Sequence, residues 1–227
     1  MDQTLTSTRT PAASRDLSSR PTRRGLLARL GRDTAYVVSG FALGVVGFAV
    51  VVTGLAAGLG LVVVWVGLAV LAGTLLLARG LAHLERWRMK ALQDREVPPA
   101  AYVVAPAGAG ALRRLLTPLR DPQSWLDALW ALVSFVTGTV ALSVVASWWA
   151  TAASGLTYWW WQRWLPEQDR TLVEILGLGE GRRDESLLQL GFGVVALLTL
   201  PLVVRGCAAL HAGTADALLN LRSRQLG

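Results

Sequence analysis

Few side chains in this sequence could carry out chemistry, and their spacing suits it poorly. The histidines are His83 and His211, and Cys207 is the one cysteine. A metal centre needs three or four convergent ligands. His83 and Glu85 are two apart, so on a helix they do not face one point. A lone cysteine excludes an intrachain disulfide and a cysteine-based metal cluster. At the end of an apolar run it reads as a small apolar side chain. Gly108-Ala-Gly110 sits in a Pro/Ala-rich stretch and lacks the strand and helix of a phosphate loop. No catalytic, cofactor-binding or metal-binding set emerges.

The charged residues near the apolar runs are more informative. Arg79 and Arg205 each follow such a run directly, and Asp33 and Asp121 lie just ahead of one. Two readings stand. The arginines can snorkel to lipid phosphates. Alternatively they pair with Asp33 and Asp121 at the inner boundary, join two halves of the chain and relay a signal. The same Asp33, Asp121 and Arg79 are the groups that keep a lipid-directed enzyme in consideration. Trp148, Trp149, Trp159, Trp160, Trp161 and Trp164 form either an interfacial anchor or an aromatic ligand platform. Gly40, Gly44, Gly47, Gly54 and Gly58 form a stripe that allows close helix contact within the chain or between protomers. Arg86-Trp-Arg88-Met-Lys90 reads as a basic amphipathic surface for anionic lipid or an acidic partner.

The elements that carry these residues follow from composition. Hydrophobic residues make up 53% of the 227 and charged residues only 16%, against about 25% charged in soluble domains. Mean hydropathy is +0.45. An ordinary soluble enzyme, a disordered chain and a coiled coil are excluded. The net charge of +7 is not gathered on one folded domain, which argues against nucleic acid as a partner. Thr34–Ala78 contains no charge over 45 residues, enough for two spans of about 20 with a turn between them. We place these spans near 36–56 and 60–78, with the turn around Gly54–Gly60. A third span covers about 127–150, ahead of a Trp-rich stretch at an interface. Ser186–Val204 is a fourth, which tolerates Pro201 inside a membrane bundle. The span interiors hold no carboxylate, Lys or Arg, which argues against a proton-driven pump.

Charge gives the orientation. Seven Arg precede the first span and eight basic residues lie in 79–125, whereas 151–185 is net −2. The positive-inside rule then puts both termini and 79–125 in the cytoplasm of a bacterial cell and the 151–185 loop outside. Residues 1–30 read as a disordered basic tail, 96–118 as a Pro/Ala-rich connector and 223–227 as a short tail. Leu172–Leu178 could be a short amphipathic helix over the outer surface.

The chain also repeats itself. Arg79-Gly-Leu-Ala-His-Leu84 matches Arg205-Gly-Cys-Ala-Ala-Leu210, and Arg32-Asp33 matches Arg120-Asp121. The expected fold is therefore all-α and integral to the membrane. Four transmembrane helices form two parallel helical-hairpin repeats, 31–95 and 119–222, each ending in a cytoplasmic amphipathic helix.

Four stretches resemble the sensor domain family of actinobacterial membrane proteins. They are Arg32-Asp-Thr-Ala-Tyr36, Leu75–Arg86, Leu119–Asp127 and Leu202–His211, and the resemblance spans about 30–222. In that family the domain often precedes a histidine kinase part and also occurs alone. The chain ends at Gly227, so the expectation is a sensor part without a kinase. The resemblance implies a non-catalytic sensor or signalling subunit, without cofactor. Its partners would be membrane lipids, a cytoplasmic histidine kinase or other signalling protein, and further copies of itself. The alternative is a structural or accessory subunit of a membrane transport complex.

Overall fold

A computed structural model describes residues 23–93, 97–98, 100, 102–165, 173, 177 and 181–220. Five α-helices are described, four of them long: α1 (Arg23–Gly60), α2 (Val66–Gln93), α3 (Ala111–Leu116), α4 (Pro122–Trp161) and α5 (Arg182–Leu219). The protein is a multi-pass membrane protein: each long helix holds an apolar window fit to cross a bilayer. At 1.5 Å per residue, the 38 residues of α1 reach about 57 Å, well beyond a hydrocarbon core of about 30 Å. Large apolar side chains stand exposed along all four, among them Val46, Leu77, Val140 and Leu198. Lipid is the solvent that such faces require.

Local chemistry fixes the ends. Asp121 caps α4, its carboxylate accepting from Gln123 N, and Pro122 occupies the first helical position. Asp184 and Glu185 favour the first turn of α5. The first reversal differs from expectation. α1 stays helical through Gly60 because Gly54 and Gly58 pack on Thr74 and Leu71 of α2 instead of breaking the chain. The chain turns at Leu61–Trp65, with Trp65 in the left-handed region at φ 61°. Gly67 closes the turn, its N–H donating to Leu61 O at 3.0 Å. A Cβ there would lie 2.1 Å from Gly58 O, so glycine is required by close approach.

Two further expectations change. Residues 23–30 belong to helix α1 and not to a disordered tail; residues 1–22 lie outside the described residues. The amphipathic segments after spans two and four are not separate helices. α2 runs unbroken to Gln93 and α5 to Leu219, because no glycine-proline break follows Arg79 or Arg205. Of the segment 172–178, only Val173 and Gly177 are described.

The two hairpins, α1–α2 and α4–α5, meet along a seam of small residues. Gly44 faces the backbone of Ser134 and Phe135, Gly47 faces Ala131, and Gly138 faces Phe41. Residue numbers thus run in opposite senses along α1 and α4, and the two helices are antiparallel here. Side chains of Arg79 and Arg86 on α2 reach Asp121 and Asp127 on α4 in parallel order. The parallel, side-by-side pairing expected of two like-oriented repeats is therefore not the packing found. The reason is steric: the glycine and alanine faces come into register, and let the backbones approach, with α4 reversed. The connections at 61–65 and 162–165 consequently lead away from the shared region in opposite directions. The core behind the seam includes Val51, Leu75, Ala128, Trp130, Val204 and Ala212.

Cysteine cross-linking tests this packing. In a background with Cys207→Ser, Gly47→Cys with Ala131→Cys and Phe41→Cys with Gly138→Cys are expected to form disulfides readily. Phe41→Cys with Leu129→Cys, the pair that a parallel alignment would bring together, is expected to stay reduced on a non-reducing gel.

Candidate functional site

Where the hairpins overlap, charged side chains leave the surface and pair inside. Glu85, Asp121 and Asp127 are fully buried, and Arg86 and Arg88 nearly so. With Arg79 they make three cations and three anions. An isolated ion would be very costly to bury in such surroundings, so the balance is what allows the cluster to exist.

The cluster has three parts. Arg79 donates from Nε to Ser124 Oγ at 2.7 Å and from Nη2 to Asp121 Oδ2 at 2.8 Å. Ser124 Oγ in turn donates to Asp121 at 3.0 Å, so the α4 cap is also the anchor for α2. Arg86 Nη2 donates to Asp127 Oδ1 at 3.3 Å and to the Leu219 carbonyl of α5 at 2.9 Å. Gln123 Nε2 bridges the same two acceptors at 3.0 and 3.1 Å. Arg88 pairs with Glu85 one turn away and donates to the Tyr36 carbonyl at 2.7 Å and Ser39 Oγ at 3.0 Å. The Tyr36 hydroxyl donates to Glu85 Oε1 at 2.6 Å. All four long helices thus contribute atoms.

Tyr102, from the connector, closes the cluster. Its hydroxyl donates to Asp127 Oδ2 at 2.6 Å and accepts from Arg86 Nη1 at 3.1 Å, and the Arg79 guanidinium lies 4.5 Å from its ring centre. Burial and the Asp127 carboxylate push its phenol well above the usual range, against the pull of Arg86. The hydroxyl therefore stays protonated and available as a donor at physiological pH. His211 of α5 sits beside this network, edge-on to Tyr36, with Nδ1 3.1 Å from Thr137 Oγ1. Its Nε2 is buried without a hydrogen-bond partner among the described residues and packs over Gly40.

The residues singled out from sequence separate here. The structure brings Arg79 and Asp121 together. It does not bring Arg205 to either aspartate: Arg205 is exposed on α5, and Asp33 accepts a hydrogen bond from Gln93 Nε2 at 3.1 Å. Gly40, Gly44, Gly47, Gly54 and Gly58 all face a neighbouring helix at close range. Trp159, Trp160 and Trp164 are more than half exposed, Trp148 and Trp149 about 40% exposed, and Trp161 is intermediate. Trp148 Nε1 donates to Thr199 Oγ1 at 3.0 Å. Arg163 lies over the rings of Trp160 and Trp164. Two of the three cations of the basic surface expected at 86–90 are turned inward: Arg86, Arg88 and Met89 are buried, whereas Trp87 and Lys90 are exposed. The carboxylates of Glu85 and Asp127 outcompete lipid for those arginines. Glu85, Asp127, Gln123 and Tyr102 were not legible as members of one set. Their signal in sequence is the run of polar residues at the start of α4, Asp121-Pro-Gln-Ser-Trp-Leu-Asp127, abutting an apolar helix. Among the described residues, no three His, Cys, Asp or Glu side chains group to hold a metal ion.

Four long apolar helices locked by internal ion pairs define a membrane-embedded helical domain. Residues 36–219 match the family described as "Putative sensor", and the chain belongs to that sensor family. Neither a curated protein nor a solved structure matches the chain.

Removing one partner of a buried pair exposes the other to an apolar surrounding. Asp127→Ala is expected to lower unfolding free energy in detergent by about 3 kcal/mol or more. Tyr102→Phe, which deletes one donor, is expected to cost about 1–2 kcal/mol. Arg79→Ala is expected to behave like Asp127→Ala, whereas Arg205→Ala should match Arg113→Ala within about 0.5 kcal/mol. Thermal or denaturant unfolding of the purified variants reads all five.

Proposed function

We propose that the chain is a non-catalytic sensor subunit that couples a signal at the outer face or within the bilayer to a cytoplasmic signalling protein, a histidine kinase or a regulator. The observation that carries this reading is the charge-balanced network to which all four long helices contribute. Its hydrogen bonds have little slack. A shift of a helix by 1–2 Å, a typical amplitude for such transitions, would break several of them together. In a low-dielectric interior, half-separated charges are unfavourable. The network therefore favours discrete arrangements over continuous sliding, which is what a switch needs. In this reading Arg79 and Asp121 relay motion between the hairpins, and the exposed tryptophans anchor the far end of α4 in the membrane or take up the signal.

Sidedness follows the charge bias. The seven arginines ahead of the first apolar run support a cytoplasmic N-terminus. Arg88 and His211 both approach Gly40, and next to them Trp87 and Leu210, both exposed, offer a face for a partner.

Photo-cross-linking from that face tests the proposal. A photoreactive residue at Trp87 or Leu210 is expected to capture a histidine kinase or response regulator in native membranes. Asp127→Asn, which unbalances the network, should change the capture yield at both positions. Capture of transport components instead would replace the sensor with an accessory subunit. Capture of this chain alone would make it a self-contained oligomer.

A further inference from the structure

The first half of α1 and the middle of α5 enclose a groove of about 660 Å³. That lies within the ~300–1,000 Å³ range of sites that hold small molecules. Among the described residues, Arg29, Arg32 and Arg205 line it with one carboxylate, Asp33, which Gln93 already engages. The cations come from one turn of α1 and from the α5 position equivalent to Arg79. Among the described residues, Arg29 and Arg205 make no ion pair, unlike Arg79, Arg86 and Arg88. Apart from Gln93 the rest of the wall is apolar, including Leu30, Leu198 and Pro201, with Leu202 about three-quarters exposed.

We infer that this groove binds one anionic phospholipid. The phosphodiester sits between Arg29 and Arg205, and hydrocarbon of the same lipid covers the exposed Leu198 and Leu202. A free phosphate would use the cations and leave the apolar wall uncovered. A zwitterionic lipid would use the wall, but its own cation would offset the attraction of Arg29 and Arg205. Basic residues at an interface draw anionic lipid in this way, and the apolar wall adds burial of hydrocarbon. With a cytoplasmic N-terminus, the groove opens to the inner leaflet. The inference stands on the groove alone and holds whether or not the ion-pair network relays a signal.

Native mass spectrometry of the full chain in non-ionic detergent tests it, with palmitoyl-oleoyl phosphatidylglycerol and phosphatidylcholine as probes. The expected result is retention of one phosphatidylglycerol at least fivefold tighter than phosphatidylcholine, undisturbed by excess inorganic phosphate. Arg29→Gln with Arg205→Gln should weaken phosphatidylglycerol binding by fivefold or more. Arg113→Gln with Arg114→Gln, equal in charge and remote on α3, should change it less than twofold. Ala209→Trp keeps the charge but fills the groove, and should also weaken binding. Equal affinity for the two lipids, displacement by phosphate, or equal losses in the two double variants would overturn the assignment. So would unchanged binding in the Ala209→Trp variant.

Discussion

The structure depends on burying equal numbers of opposite charges where two apolar hairpins overlap. Glu85, Asp121 and Asp127 have no access to solvent. Each is stable there only because a guanidinium and at least one neutral donor reach it. Remove the arginines and the acids could not be ionised in that setting; remove the acids and three cations would sit in the core. The constraint propagates outward. Asp121 must lie at the start of α4 to cap it and meet Arg79 together. Asp127 must then fall about two turns on, beside Arg86 and the end of α5. Tyr102 fixes how the connector returns across α2. Few positions in this region can change alone.

Small residues supply the second condition. Arg88 reaches the Tyr36 carbonyl and Ser39 only because α1 and α2 lie close. α1 and α4 lie close because Gly44 and Gly138 present no side chain to the opposing backbone. In lipid, apolar burial gives little preference for one helix partner over another. Steric fit selects the partner, and the ion pairs fix its rotation and register. A leucine at position 44 would push the helices apart and lengthen hydrogen bonds several residues away.

Much of the architecture was legible in the sequence and less of the site. The four spans followed from hydropathy, since no soluble core could absorb 45 uncharged residues in a row. The turn was misplaced because glycine serves both reversal and close packing, and pattern alone cannot separate these uses at Gly54 and Gly58. Helix direction was misjudged for a related reason. A repeat shows that two segments are alike but not how they dock, and docking was decided by which small-residue faces fit. The basic run at 86–90 looked like a surface because its partners, Asp127 and the Leu219 carbonyl, are 41 and 133 residues away from Arg86. No local rule connects them.

The two repeat arginines show how such a duplication can divide its work. Arg79 and Arg205 occupy equivalent positions in sequence, each opening an Arg-Gly pair after an apolar run. Arg79 is drawn inward, because Asp121, Ser124 and the Tyr102 ring surround it. Among the described residues, Arg205 meets no such acid. The corresponding Asp33 is turned to Gln93, and Arg29 and Arg32 repel a further cation nearby. An arginine without an internal anion must find one outside, and at a membrane surface that anion is a lipid phosphate. The same residue type in the same repeat position thus becomes an internal clamp in one copy and an outward-facing charge in the other. The distribution of carboxylates decides which: with Asp121 moved or neutralised, Arg79 would be released to behave as Arg205 does.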